Sequence, residues 1–104
     1  MKYGLPESTC LKICTVFAKY AEIDKAILYG SRAKGNFKVG SDIDLTLYGE
    51  RINLRIFNSI ANDLDDLLLP HSIDLSLFSD IQNQDLLEHI DKFGVLFYEK
   101  SPNF

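Results

Sequence analysis

The chain has 104 residues, 46% hydrophobic and 25% charged, which is an ordinary globular balance and excludes a disordered or fibrous polypeptide. A formal net charge of -4 argues against broad phosphate neutralisation, so direct nucleic-acid binding is disfavoured. No apolar run is long enough to span a bilayer and no signal-peptide core opens the sequence, so a cytoplasmic location is the default expectation.

In chain order, Pro6 to Thr9 carry helix-start chemistry, and Cys10, Ile13, Cys14, Phe17 and Ala21 recur at helical spacing. The two cysteines share that apolar face and read as small buried side chains rather than metal ligands. His71 and His89 are isolated in sequence and receive no task. Lys25 to Tyr29 reads as a buried strand, and Gly30 and Ser31 break it with conformational freedom followed by a hydroxyl.

From Gly30 to Ser41 there is no carboxylate, while Arg32, Lys34 and Lys38 supply positive charge and a short helical turn through Lys34 is expected. Such a loop suits an anion. Asp42 to Tyr48 then alternates strictly, placing Asp42, Asp44 and Thr46 on one face of a strand and Ile43, Leu45 and Leu47 on the other. The two carboxylates are about 6 to 7 Å apart along such a strand.

After Asn53 as N-cap, Leu54, Phe57, Ile60, Ala61, Leu64, Leu67 and Leu68 outline a long amphipathic helix that Pro70 stops. Ile73 to Phe78 then repeats the pattern of Ile43 to Tyr48 almost residue for residue. Adjacent strands with one buried face are forced to the same alternation, which predicts that Asp74 joins Asp42 and Asp44. Leu86, Leu87, Ile90 and Phe93 mark a last helix ended by Gly94, whose ability to take positive φ suits a helix terminus, and Val95 to Tyr98 form a final strand. No linker or low-complexity tract divides the chain, so residues 1–104 read as a single α+β domain: a mixed four-stranded sheet with helices packed mainly on one face.

Three converging carboxylates repel one another and call for a cation, and an oxygen-only set favours Mg²⁺, with Mn²⁺ also suited. Asp42, Asp44 and Asp74 are therefore the candidate metal ligands and catalytic residues, and Gly30, Ser31, Arg32 and Lys34 the candidate nucleotide-binding residues. Two metal ions beside a phosphate-binding loop suit in-line displacement at phosphorus. Tyr29 and Tyr48 flank the site, where packing against helices is preferred to stacking on a base; Arg51 and Arg55 are left outside it.

Gly30-Ser31, ten intervening residues, Asp42-Ile43-Asp44 and a third Asp on a later strand resemble the signature of the polymerase-β-type nucleotidyltransferase superfamily. The short chain, with Ser31-Arg32-Ala33-Lys34-Gly35 after Gly30, resembles its minimal nucleotidyltransferase (MNT) family, whose members are often antitoxins paired with HEPN-domain toxins. The resemblance implies the polymerase-β-like fold, ATP as donor, AMP transfer with release of pyrophosphate, and a protein acceptor, often a tyrosine of a HEPN partner. With no segment visible for enclosing an acceptor, a separate macromolecule is expected to bring the hydroxyl. The alternatives are a non-enzymatic antitoxin that sequesters its partner, and a small subunit acting on a small molecule bound by a partner chain. The sequence is also compatible with a homo-oligomer.

Overall fold

The computed structural model describes residues 1–101. Helix α1 (Glu7–Ala18) leads into β1 (Lys25–Tyr29), the four-residue α2 (Ser31–Lys34) and β2 (Ile43–Tyr48). Then follow α3 (Leu54–Asp65), β3 (Ile73–Leu77), a single 3₁₀ turn (Phe78–Asp80), α4 (Gln84–Phe93) and β4 (Val95–Glu99). The strands form one sheet in the order β3-β2-β1-β4, antiparallel between β1 and its two neighbours and parallel between β2 and β3. This is the mixed α+β arrangement expected.

One sheet face carries Ala26, Leu28, Ile43, Leu45 and Leu47, which are buried with Ile13, Val16 and Phe17 of α1 and Ile60 and Leu64 of α3. Each fully buried aliphatic or aromatic side chain contributes about 1.5–3 kcal/mol, so this layer holds the sheet to its two long helices. On the opposite face, α4 lies against β1. There the Ile90 side chain is buried, and Tyr48 stacks on Phe78 with ring centroids 4.4 Å apart. At the end where β1 finishes and β2 and β3 begin, Asp42 and Asp74 are exposed.

The parallel β2–β3 pairing follows from the repeated pattern, since α3 carries the chain back to the start of the sheet. Ile43 pairs with Ile73, Asp44 with Asp74, Leu45 with Leu75, Thr46 with Ser76 and Leu47 with Leu77. Like residues thus sit side by side, and both strands commit the same face to the core.

Local chemistry adjusts several boundaries. Helix α1 ends at Ala18 rather than near Ala21, and β2 starts at Ile43, leaving Asp42 just ahead of the ladder. Asn53 caps α3 as expected, its Oδ1 accepting the Ile56 N–H at 2.9 Å. That helix stops at Asp65, well before Pro70; Leu68 has φ +52 and is 88% exposed, so it lies off the apolar stripe. Asn83 caps α4 through the Leu86 N–H at 3.0 Å.

Gly94 ends α4 for a different reason from the one expected. Its φ is -61°, an ordinary value, but a Cβ there would lie 2.4 Å from the Ile90 carbonyl oxygen and 2.8 Å from Ile27 Cγ2. The residue is small because the end of α4 is pressed onto β1, not because the backbone is left-handed.

Candidate active site

At this end of the sheet, β1 delivers Tyr29 and Gly30, β2 delivers Asp42 and Asp44, and β3 delivers Asp74. Asp44 is bracketed by two ladder partners, Tyr29 on β1 and Asp74 on β3. All three side chains share the face opposite the core, because alternation puts Ile43 and Leu45 inward. Asp42 and Asp74 are exposed, whereas Asp44 is half-buried.

That difference shows in the electrostatics. Burial, then the charge of Asp74, then that of Asp42, push the Asp44 carboxyl up to about 6. Burial likewise raises the Tyr29 phenol, with Asp74 and Asp44 adding to the effect. Negative charge is concentrated here, Asp74 and Asp42 both acting on Asp44.

Gly30 has φ +77° and ψ -158°, a conformation open essentially to glycine alone. A Cβ at this position would come within 2.1 Å of Asp44 Oδ2. Backbone freedom and close approach to a carboxylate therefore both demand glycine. Ser31 opens α2 directly afterwards, and the first turn of a helix leaves its N–H groups without helical partners.

Arg32 does not join this site. It is 2% exposed; its Nε and Nη2 donate to the Ser41 carbonyl at 3.1 and 2.9 Å, and Nη1 donates to the Tyr3 carbonyl at 2.9 Å. Arg32, expected among the nucleotide-binding residues, instead directs three of its five N–H groups to backbone carbonyls. By fixing Ser41, it fixes the residue before Asp42 and so sets where β2 begins. Lys34 is exposed, its Nζ 5.0 Å from the centre of the Phe93 ring.

Among the described residues, no group of three or more His, Cys, Asp or Glu side chains lies close enough together to enclose a metal ion. The expected three-carboxylate cluster is thus a shared face with one in-register pair, not a finished cage: Asp42 precedes the ladder, and both Asp42 and Asp74 extend into solvent. The donor chemistry nevertheless fits a hard divalent cation, since all three donors are carboxylate oxygens and the charges of Asp74 and Asp42 both act on Asp44.

The family model for polymerase beta nucleotidyltransferases matches residues 11–103. The chain belongs to the polymerase beta nucleotidyltransferase family. A search of curated protein sequences finds no match.

Among solved structures, a toxin–antitoxin complex with AMP-PNP matches with a TM-score of 0.67 at 18% identity, over 92% of this chain and 75% of that one. A tri-AMPylated Shewanella oneidensis HEPN toxin in complex with MNT antitoxin matches with a TM-score of 0.64 at 16% identity, over 90% and 72%. A putative nucleotidyltransferase from Sulfolobus solfataricus gives 0.52 at 16% identity, over 97% and 96%. At these identities the likeness is one of fold.

For a nucleotidyltransferase of this fold, the geometry adds one residue that sequence reasoning passed over. The Gly30 N–H donates to His89 Nε2 at 2.9 Å. The signal was present: His89 stands three residues after Leu86 and four before Phe93, inside the apolar stripe of α4. The cysteines take no part here. Cys10 and Cys14 line a cavity of about 540 Å³ with Leu11, Leu96 and Phe97 between α1 and β4, and burial raises both thiols.

Proposed function

We propose that this chain is a minimal nucleotidyltransferase that moves AMP from ATP to a hydroxyl, the acceptor being a tyrosine of a HEPN-type toxin, and that it thereby acts as the antitoxin of a toxin–antitoxin pair. The observation that carries the reading is the in-register Asp44–Asp74 pair beside the Gly30–Ser31 turn. Further support comes from the fold shared with one chain of a complex between a tri-AMPylated HEPN toxin and an MNT antitoxin, and with one chain of a toxin–antitoxin complex holding AMP-PNP.

In this reading Gly30 shapes the turn that brings the nucleotide in, Ser31 and the free amides of the first turn of α2 hold the outer phosphates, and Lys34 balances charge on the departing pyrophosphate. Asp42, Asp44 and Asp74 would hold two Mg²⁺ ions. When bound, such ions neutralise charge on the attacking and leaving oxygens. Asp74, exposed at the edge of the site, orients the acceptor hydroxyl and takes its proton as that oxygen bonds to the α-phosphorus and the bond to pyrophosphate breaks.

The exposure of Asp42 and Asp74 leaves the reacting end of the sheet open to another macromolecule. Among the described residues no helix is long and apolar enough to cross a membrane. The experiment that tests the site is thermal melting with ATP in the presence of Mg²⁺ or of chelator. Binding linkage stabilises the chain in the first case only; a melting shift equal in both would contradict the reading.

A further inference from the structure

The Gly30–Ser31 turn is held from two sides. Asp44 lies beneath Gly30, where its Oδ2 occupies the space a Cβ would fill, and His89 of α4 accepts the Gly30 N–H at 2.9 Å. A ring nitrogen that accepts a hydrogen bond carries no proton, so His89 stands here as the neutral imidazole with its proton on Nδ1.

The same helix face grips the far end of the turn. Phe93 lies one helical turn beyond His89, the two rings 5.3 Å apart, and the Lys34 ammonium sits 5.0 Å from the Phe93 centroid. The His89 ring also meets Tyr29 edge-on, with centroids 6.2 Å apart and planes at 77°. Residues before, at and after the turn are therefore all fastened to one face of α4.

A glycine at φ +77° and ψ -158° has many other conformations open to it, and it persists in one only where the surroundings over-determine it. We propose that His89 is a positioning residue for nucleotide binding: its Nε2 fixes the Gly30 amide, and so fixes the Gly30 conformation that presents Ser31 and the first turn of α2 to phosphate. This rests on the nucleotidyltransferase reading of the site and adds to it a dependence on α4. Without His89 the turn has to be ordered at the moment of binding, and affinity falls by the worth of that bond.

The test uses the full chain as wild type, His89→Ala and His89→Gln, with Mg²⁺ and a non-hydrolysable ATP analogue titrated calorimetrically. Glutamine keeps an acceptor, its Oε1, near the place of Nε2. The alanine variant is expected to bind about five-fold more weakly, the factor that one ordinary hydrogen bond supplies, and the glutamine variant to recover most of that loss. In the wild type, long-range ¹H–¹⁵N spectra of the imidazole should show an unprotonated Nε2, a measurement that does not depend on either variant folding.

Alanine binding as tightly as wild type, glutamine as weak as alanine, or a protonated Nε2 in the wild type would each overturn the role of His89. A wild type that binds no nucleotide would instead overturn the site itself, and this role with it.

Discussion

Asp44 and Asp74 face each other as direct partners across the parallel β2–β3 ladder, with identical or near-identical residues on either side of each. The pairing is dictated by the core: Ile43, Leu45 and Leu47 must point inward beside Ile73, Leu75 and Leu77, and any slip by one residue would turn the apolar set to solvent. The carboxylates are carried to the same spot by their neighbours' burial. The fold thus assembles like charges at its own cost.

That cost has a pH signature. The Asp44 carboxyl titrates near 6 in the folded chain, against about 3.9 when unfolded. Between those values the folded chain holds a proton that the unfolded chain has lost, so stability is fully present below about 4 and declines as pH rises through 6. Without metal, Asp44→Asn should be more stable than wild type by about 1–2 kcal/mol at pH 7.5, after discounting for partial solvent screening, with the difference vanishing near pH 4. Denaturant melts at the two pH values check this, and a pH-independent difference would contradict it.

Arg32 offers a test of structural against ligand-binding roles. Removing a buried guanidinium that donates to the Tyr3 and Ser41 carbonyls leaves acceptors unpaired, so Arg32→Ala should cost about 3 kcal/mol or more. Arg32→Lys should recover little, because an ammonium cannot reproduce the fork. Chemical denaturation measures this directly. A variant of wild-type stability with weakened nucleotide binding would return Arg32 to the phosphate site.

Gly30→Ala combines two penalties, a backbone conformation that alanine resists and a Cβ 2.1 Å from Asp44 Oδ2. We expect a loss of at least about 2 kcal/mol of stability, together with loss of the melting shift produced by MgATP. A variant that melts as wild type and keeps the shift would show that the turn tolerates rearrangement.

Much of this was legible in the sequence because the informative residues are short-range. The strict alternation of Ile43 to Tyr48 and of Ile73 to Phe78 gave both strands and their adjacency, and Gly30 stood where only glycine fits. What could not be read depends on contacts distant in sequence. Arg32 reaches Tyr3 across 29 positions and His89 reaches Gly30 across 59, and no local pattern records such pairings. Leu68 looked helical by spacing alone, but α3 had already ended at Asp65.

The most direct measurement of the central claim is the intact mass of a HEPN-type toxin after incubation with this protein, ATP and Mg²⁺. One or more AMP groups on a toxin tyrosine and loss of toxin activity are expected, both abolished in an Asp42→Asn, Asp44→Asn double variant. Neutralisation that persists unchanged in that variant, with no mass added by the wild type, would contradict transfer and leave sequestration as the mode of action.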